Sequence, residues 1–274
     1  PIEIQKEDRR IADKIIEEFM LVTNETIAEE MYWGDLPFLY RIHEEPDMER
    51  IEEFNKFIHN FGYNIKGSQE IHPKELQLLT HEVKGKKEEV LINTLLLRSL
   101  KKARYSEENE IHFGLASKYY CHFTAPIRRY PDLQIHRIIK AYINGKLNPM
   151  EQERLHIYLP KVADHTSTTE RTAEEAEREV EDLKKAEYMS KRIGEEYEGI
   201  ISSLTHFGMF VQLDNTIEGL VHFSNMIDDY YHFDEENYYI IGEHTNKIYR
   251  LGDNVKIKVM NADLIRRTID FMLI

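Results

Sequence analysis

The 274-residue chain carries 36 Lys and Arg residues against 50 Asp and Glu residues, a net charge of −14, and 41% of its residues are hydrophobic. This balance excludes the disordered and collagen-like classes, and the length suits about two domains. The sequence has no apolar run of about 18 residues, which predicts no membrane span. The single cysteine, Cys121, excludes an internal disulfide and favours a reducing, cytoplasmic setting. The chain starts at Pro1 without a signal-type segment, which predicts that it is a part of a longer protein.

The first predicted element is a helix over residues 8–31, in which apolar residues recur every three or four positions. Ile11 and Ile15 belong to this broad apolar stripe, from which we expect the helix to be largely buried. On another face of the helix, Glu17 and Asn24 are spaced so that they lie together, two turns apart. Further helical patterns are present at 47–60, 73–83 and 86–102.

Residues 109–130 lack periodicity and are rich in aromatic and basic side chains, which predicts loops and short extended pieces. A helix follows from Pro131, since proline is tolerated in the first helical turn, and it ends near Asn144 and Gly145. A second, highly charged helix is predicted over 168–192.

After Gly194 the pattern changes to short alternating runs that are typical of strands. The predicted strands are 198–204, 209–213, 219–223, 255–259 and 268–273. Short strands with glycines at the turns indicate a small closed β-barrel of the OB type. The sequence therefore predicts an α+β protein, with a mostly helical part over 1–193 and a five-stranded OB-fold barrel over 194–274.

The densest chemical pattern lies within residues 112–140, a basic island that holds five Lys and Arg residues and a single acid, Asp132. Its Ala-Pro-Ile turn presents two adjacent arginines, Arg128 and Arg129, which we expect to point to different sides. One guanidinium can then bind a phosphate while the other pairs with Asp132. Aromatic rings beside arginines also suit bases stacked next to a nucleic-acid backbone. The alternative is a helix start with a local ion pair and packed aromatic rings.

The motif His-Phe-Gly-Leu from His112, followed by Tyr-x-x-Phe-Thr-x-Pro-Ile-Arg-Arg-Tyr-x-Asp-Leu-x-x-His up to His136, is long and specific. It resembles the signature of the ribonuclease II / ribonuclease R (RNB-type) exoribonucleases, and among them the bacterial ribonuclease R group. The resemblance covers the whole chain. Residues 1–193 resemble the carboxy-terminal half of the RNB catalytic domain, and residues 194–274 resemble the OB module named after ribosomal protein S-one. Ala125 stands where the family often has serine.

The resemblance implies hydrolysis of single-stranded RNA from its 3′ end, one nucleotide at a time, with Mg²⁺. It makes Arg128 the catalytic contact to the phosphate at the scissile bond, with Glu17 beside the terminal nucleotide and Glu170 near the 3′ ribose. Further residues predicted to contact RNA are Asn24, Tyr119, Phe123, Arg129, Tyr130 and Arg171. From the residues alone, Glu17 can also be a solvated helix-face acid, and Ser167 with Glu170 can form a capping box.

In the family the catalytic metal is held by an aspartate cluster of the type Asp-x5-Asp-x-Asp-Asp, which this sequence lacks. Its one Asp-Asp pair, Asp228-Asp229, is interpreted as a solvated loop. In the family the aspartates lie upstream of the position that corresponds to Pro1. The resemblance therefore implies that Mg²⁺ is a cofactor of the intact parent enzyme, that this chain has no metal ligands, and that the chain alone does not hydrolyse RNA.

In the barrel region, Phe207 and Phe210 are predicted to present stacking platforms, each worth about 1–3 kcal/mol per base. We expect His222 on the adjacent strand. Asp263 and Arg267 match the late acid–base pair of the module that this region resembles, near the same surface. The alternative for Phe210 is a place in the barrel core.

The predicted partner is single-stranded RNA, bound by a monomer with no preference for DNA and no association with a membrane. Two alternatives stay open. A non-catalytic protein would use the same residues only to hold single-stranded RNA, and an assembly adaptor would use the charged helix over 168–192. An aspartate cluster upstream would favour the enzyme over the binding protein.

Overall fold

The computed structural model describes residues 1–4, 10–65, 71–86, 88–235 and 237–274. Its helices are α1 Ile11–Trp33, α2 Met48–His59, α3 Pro73–Val83, α4 Glu89–Ser99, α5 Tyr130–Ile143 and α6 Pro149–Met189. Its strands are β1 Tyr40–Ile42, β2 Arg104–Ser106, β3 Glu196–Thr205, β4 Gly208–Leu213, β5 Glu218–His222, β6 Tyr231–Asp234, β7 Tyr239–Gly242, β8 Ile248–Arg250, β9 Asn254–Asp263 and β10 Thr268–Leu273. The predicted order, a mostly helical part followed by a β part, is confirmed. Residues 8, 9 and 87 of the predicted helices lie outside the described residues.

Local signals set the ends of several helices. α3 covers the predicted residues, with Pro73 in its first turn and the His72 ring accepting a hydrogen bond from the Lys74 amide at 3.2 Å. α5 has Pro131 in its first turn, as predicted. These ends could be predicted because the contacts that define them lie within one turn of the chain.

The helix α6 is longer than the predicted charged helix. It begins at Pro149, where Asn148 Oδ1 accepts a hydrogen bond from the amide of Glu151 at 3.0 Å. Ser167 and Glu170 therefore lie in the interior of a helix. The alternative that these two residues form a capping box is wrong, because a capping box satisfies amides that are free only in the first turn.

The apolar stripe of α1 lies on an exposed face. The exposed fractions are 77% for Ile11, 51% for Ile15 and 67% for Phe19. The buried residues of this helix are Asn24, Ala28 and Met31. The prediction of a largely buried helix is wrong for the described residues, because hydrophobic periodicity identifies an apolar face without specifying what covers it.

Two hydrophobic clusters hold the helical part together. One joins α1, α5 and the first turns of α6 around the antiparallel strands β1 and β2, and the other joins α2, α3 and α4. In the first cluster, the register of the two strands places Arg41 directly opposite Tyr105. Residues opposite each other in a ladder share one face of the sheet, so these two side chains lie side by side.

Five strands close into a barrel in the order β10-β5-β4-β3-β9, and each overlaps one of the predicted strands, although β9 runs four residues beyond its predicted end. Fully buried side chains such as Val211, Val221 and Phe271 fill the interior. Gly219 is required beside Phe271, since a Cβ at this position would lie 2.5 Å from the ring. The strand pattern could be predicted because alternate side chains face the interior.

A three-stranded sheet, β6-β7-β8, lies between β5 and β9 in the chain and was not predicted. Asp229 anchors it: the side chain is 1% exposed and accepts hydrogen bonds from the amides of Tyr230, His244 and Thr245. Burial opposes ionisation of this carboxyl group, but the hydrogen bonds outweigh burial and lower the pKa of Asp229. The interpretation of Asp228-Asp229 as a solvated loop is therefore wrong for Asp229, although Asp228 is exposed.

The helical part and the barrel share a hydrophobic cluster. Ala186 and Met189, in the last turn of α6, are fully buried among barrel side chains. Earlier in the same helix, Glu179 Oε2 lies 2.7 Å from the Arg267 guanidinium of the barrel. The helix α6 thus connects the two parts and packs against the second.

Candidate nucleic-acid interface

A tight turn at 125–129 leads into α5. The amides of Arg128 and Arg129 both donate to the carbonyl oxygen of Ala125, at 3.2 and 3.0 Å. Asp132 is fully buried, and its Oδ1 accepts hydrogen bonds from the Ala125 amide at 2.8 Å and from Arg129 Nη2 at 2.6 Å. A single buried carboxylate therefore fixes both ends of the turn.

The two adjacent arginines lie in different environments, as predicted. The side chain of Arg129 is 19% exposed and forms an ion pair with Asp132. Arg128 is exposed, and its side chain forms no hydrogen bond or ion pair with any residue that the structure describes. The alternative of a helix start with a local ion pair thus accounts for Arg129 and leaves Arg128 as an available cation. The predicted direct RNA contact of Arg129 stays a prediction.

Asn24 supports the segment that precedes the turn. It is 3% exposed, its Nδ2 donates to the Tyr120 hydroxyl at 3.2 Å, and its Oδ1 accepts from the Phe123 amide at 3.0 Å. The half-buried Phe123 ring stacks on His136 with the ring centres 4.2 Å apart. Both ends of the Asn24 amide thus bind within the protein, and the predicted direct contact of Asn24 with RNA stays a prediction.

Glu170 belongs to a connected set of polar side chains beside the turn. Its Oε2 accepts a hydrogen bond from Arg41 at 2.6 Å, and its Oε1 lies 3.4 Å from the Tyr105 hydroxyl. That hydroxyl is also 2.9 Å from His122 Nδ1. Burial lowers the pKa of His122 to about 2, and nearby arginines, Arg128 among them, act in the same direction. His122 is therefore neutral, and the fixed charges of this region belong to Glu170 and the arginines.

A second neutral histidine lies nearby. His112 Nδ1 accepts a hydrogen bond from the Leu115 amide at 3.3 Å, and its ring centre is 5.4 Å from that of His43. Burial lowers the pKa of His112 to about 4, and His43 adds to this effect. These two half-buried histidines of the motif thus contribute packing and hydrogen bonds, and neither contributes charge at neutral pH.

Two predicted stacking residues lie apart from this network. Tyr119 packs against Tyr32 with the ring centres 4.7 Å apart, at the end of α1. That position is about 12 Å along the helix from Asn24, at about 1.5 Å per residue. The Tyr130 hydroxyl lies 3.1 Å from that of Tyr158 on α6. The structure therefore brings neither ring into the network around Glu170.

The other two predicted contacts of the helical part are Glu17 and Arg171. Glu17 is half-buried on α1, about 10 Å along the helix from Asn24 at about 1.5 Å per residue. Arg171 is exposed on α6, directly after Glu170. The RNA contacts of Glu17 and Arg171 stay predictions.

An aromatic surface lies on the outside of the barrel. Phe207, in the turn between β3 and β4, is 47% exposed, and its ring is nearly parallel to that of His222 with the centres 6.4 Å apart. Phe210 is half-buried between the fully buried Met209 and Val211, so its side chain faces outward. The alternative that Phe210 belongs to the barrel core is therefore wrong.

Asp263 and Arg267 do not pair with each other. Asp263 accepts hydrogen bonds from the amides of Arg266 at 3.0 Å and Ile265 at 2.8 Å, and these bonds lower the pKa of Asp263. Arg267 instead pairs with Glu179. Asp263 and Arg267 thus match the acid–base pair of the module in residue type, but the two side chains do not contact each other, because Arg267 binds the carboxylate of Glu179 on α6.

Among the described residues, no group of three or more His, Cys, Asp or Glu side chains could hold a metal ion. Near the Arg128 turn, the carboxylates of Asp132 and Glu170 are bound to Arg129 and Arg41, respectively. The described residues therefore do not fit a magnesium site. In the same ranges, no helix is both long enough and apolar enough to cross a membrane.

Sequence reasoning missed Arg41 and Tyr105. Arg41 lies in a three-residue strand between the buried residues Tyr40 and Ile42. A charged residue in such a short apolar strand is the signal that could have identified it. Its partner Glu170 lies 129 positions away, and no local pattern connects the two.

Comparison with known families defines the class of protein. The model of the RNB domain matches residues 1–145, and the model of the S1 RNA binding domain matches residues 190–273. The chain therefore belongs to the RNB family, and the predicted resemblance is confirmed.

Individual relatives are ribonuclease R proteins. The chain is 49% identical over 272 residues to Ribonuclease R 1 of Lactococcus lactis, which covers 99% of this chain and 33% of the relative. It is 46% identical over 276 residues to Ribonuclease R of Thermotoga maritima, 100% of this chain and 39% of the relative. The chain thus spans between a third and two fifths of the length of these curated relatives.

A solved structure shows the same fold. Mycoplasma genitalium RNase R, in complex with ribose methylated single-stranded RNA, superimposes with a TM-score of 0.88 at 30% identity. The match covers 98% of this chain and 42% of that chain. At this TM-score and coverage, the fold described above is also the fold of that part of the Mycoplasma protein.

Proposed function

We propose that this chain is the RNA-holding part of a 3′→5′ exoribonuclease, which hydrolyses single-stranded and also structured RNA processively to 5′-mononucleotides. The observation that carries the proposal is the exposed guanidinium of Arg128, which has no partner in the described part of the chain, beside a second arginine that is neutralised by Asp132. The names of the ribonuclease R relatives support the same activity.

Arg128 is assigned to the phosphate next to the scissile bond. Its amide donates a hydrogen bond to Ala125, and the Arg129 amide and Asp132 hold the same turn, so the cation is positioned before RNA binds. A preorganised donor of this kind stabilises the charge that develops on the phosphoryl oxygens. Glu17 and Glu170 are assigned to the 3′-terminal nucleotide, with Arg41 and Tyr105 orienting the carboxylate of Glu170.

Mg²⁺ is assigned to the intact parent enzyme. The described residues provide no metal-ligand cluster, so we infer that the ligands are supplied by another part of the parent protein and that this chain alone is inactive. The metal would supply an activated water in line with the phosphate. The residues of this chain bind and orient the RNA strand.

The OB-type barrel is assigned to the capture of long RNA. Phe207 and His222 form an exposed, nearly parallel pair of rings, and Phe210 faces the same side of β4 and β5, where Gly208 pairs with His222. Stacking on such rings tolerates any base sequence. The proposal includes a monomer that acts in the cytoplasm without a preference for DNA.

The proposal is tested by Arg128→Ala in the intact parent enzyme. We expect the single-turnover rate of RNA cleavage to fall about 10²–10³-fold, the usual effect of removing one transition-state donor, with less than about tenfold weaker RNA binding. Arg178→Ala on the exposed part of α6 is the matched control and should change neither quantity. A loss confined to binding, or an equal loss for both variants, would refute the role of Arg128.

The present chain provides a second test. With Mg²⁺ it should bind single-stranded RNA weakly and release no mononucleotide. Release of mononucleotides would show that the chain does contain a metal site. If the intact parent binds RNA but also releases none, the non-catalytic RNA-binding alternative is the correct one.

A further inference from the structure

Arg41 is a charged residue in a nearly buried position. Its side chain is 12% exposed, and it lies in β1 between the buried residues Tyr40 and Ile42. The Arg41 amide donates a hydrogen bond to the carbonyl oxygen of Tyr120 at 2.8 Å, and β1 pairs with β2. The backbone of Arg41 is therefore held both by β2 and by the segment that precedes the Arg128 turn.

The Arg41 guanidinium has two partners. Nη1 donates to Glu170 Oε2 at 2.6 Å, and the guanidinium carbon lies 4.6 Å from the centre of the Tyr105 ring. The planar guanidinium is suited to this combination, since it stacks on aromatic faces and binds carboxylates. The hydroxyl of the same tyrosine lies 3.4 Å from Glu170 Oε1. Both oxygens of Glu170 are thus contacted, one by Arg41 and the other by Tyr105.

Glu170 nevertheless keeps room for a ligand. Its side chain is 27% exposed, so part of the carboxylate can be reached from outside. A carboxylate has about four lone-pair sites, and the contacts to Arg41 and Tyr105 use two of them. The buried Ser167, one turn earlier in α6, accepts a hydrogen bond from the Tyr105 amide at 3.0 Å, which ties β2 to this part of the helix. Glu170 can therefore accept a hydrogen bond from a ligand hydroxyl while it stays paired with Arg41.

The charges of the pair oppose each other in their surroundings. Burial raises the pKa of the Tyr105 hydroxyl, and Arg41 and Glu170 act on it in opposite directions. The pair also lies close to the Arg128 turn. Burial lowers the pKa of His122 to about 2, and the charges of Arg41 and Arg128 both add to this effect on the same ring. Without Arg41, the carboxylate of Glu170 would therefore place an uncompensated negative charge near Arg128.

Such a charge would oppose RNA binding. Glu170 is assigned to the 3′-terminal nucleotide and Arg128 to the adjacent phosphate, and a carboxylate repels a phosphate more strongly in a partly buried site than in bulk water. We propose that Arg41 is a positioning residue whose guanidinium cancels the charge of Glu170, so that this carboxylate can bind hydroxyl groups of the terminal ribose without repelling the phosphate held by Arg128. The inference rests on the function proposed above and adds a residue on which RNA binding depends.

The test measures RNA binding by the intact parent enzyme, without Mg²⁺ so that no cleavage occurs. The probe is a short, 5′-labelled single-stranded oligoribonucleotide, and its dissociation constant is measured by fluorescence anisotropy at several salt concentrations. Arg41→Gln should weaken binding about tenfold, because it leaves the charge of Glu170 uncompensated. It should also make the dependence of log affinity on log salt less steep by about 0.7, as the loss of one phosphate contact does.

Two further variants separate charge from structure. Arg41→Lys keeps the positive charge, and the double variant Arg41→Gln with Glu170→Gln removes both charges. Because neither variant leaves an uncompensated charge, both should bind the oligonucleotide within about threefold of the unaltered enzyme. All variants are compared at a temperature at which circular dichroism shows them to be folded. A local distortion of the site would lower the affinity but leave the salt dependence unchanged.

Arg104→Gln is the matched control. Arg104 precedes Tyr105 in β2, so its side chain points to the other face of the two-stranded sheet. Its Nε lies 2.8 Å from Glu44 Oε1, and the substitution breaks an ion pair in the same small sheet. It should leave RNA binding and its salt dependence unchanged.

Unchanged binding by Arg41→Gln, an unchanged salt dependence, or equally weak binding by the double variant or by Arg104→Gln would overturn the proposal. If Arg41→Gln does not fold, Arg41→Lys and the double variant decide, and a loss of about tenfold in either overturns it. The series needs no cleavage, so it can be scored even if the parent enzyme proves inactive, which would refute the proposed function. If Arg128→Ala slows cleavage as expected and the Arg41 variants bind normally, the present inference alone fails.

Discussion

Asp132→Asn is the substitution for which the structure predicts the clearest effect. The asparagine keeps the volume of the side chain, and its Oδ1 can still accept the hydrogen bond from the Ala125 amide. What it removes is the negative charge 2.6 Å from Arg129 Nη2, in a position that is 0% exposed. Removing one partner of a buried ion pair costs about 3–5 kcal/mol, because the other charge stays buried without compensation.

The lower end of that range applies here. The Arg129 side chain retains 19% exposure, so part of its charge can be hydrated when Asp132 is replaced. We therefore expect a loss of about 3 kcal/mol in the free energy of unfolding, or about 6–12 °C in melting temperature. Urea unfolding followed by circular dichroism measures the first quantity, and thermal melting measures the second.

A double-mutant cycle separates the ion pair from other effects. Arg129→Met in the Asp132→Asn background removes the uncompensated charge, so the double variant should be more stable than the sum of the single effects by more than about 1 kcal/mol. If Asp132→Asn costs less than about 1 kcal/mol, or if the two substitutions are additive, the pair does not hold the turn in the way described. In the parent enzyme, Asp132→Asn should also slow RNA cleavage below the melting transition, because the turn positions Arg128.

Three further predictions concern other parts of the chain. Unfolded histidine has a pKa near 6.5, whereas burial lowers the pKa of folded His112 to about 4. The free energy of unfolding should therefore fall by about 2 kcal/mol from this residue as the pH is lowered from 7 to 5. Urea titrations at each pH measure this slope, and His112→Asn should remove the contribution of His112 to it. Phe207→Ala should weaken capture of long RNA by about 1–3 kcal/mol and spare short oligonucleotides, as measured by filter binding; an equal effect on both lengths would contradict the capture role of the barrel. Gly219→Ala should destabilise the barrel by about 1–3 kcal/mol in thermal melting, because its Cβ would meet the Phe271 ring, and an unchanged melting temperature would show that the ring can move aside.

The features that could be predicted from the sequence are those decided by neighbours in the chain. The pairing of Arg129 with Asp132 is one of them, because Asp132 is three residues from Arg129 and seven from Ala125. The strands of the barrel are another, since alternation of apolar side chains records which face is buried. The start of α3 at Pro73 belongs to the same group.

Other features depend on which parts of the chain meet in space, and the sequence contains no local record of them. Glu170 binds Arg41 across 129 positions, and Tyr119 packs against Tyr32 and Trp33 because α1 ends beside the loop that contains Tyr119. Arg267 binds Glu179 because α6 packs against the barrel. Periodicity shows that a side chain faces one side of its element, whereas its partner is set by the packing of elements that lie far apart in the chain.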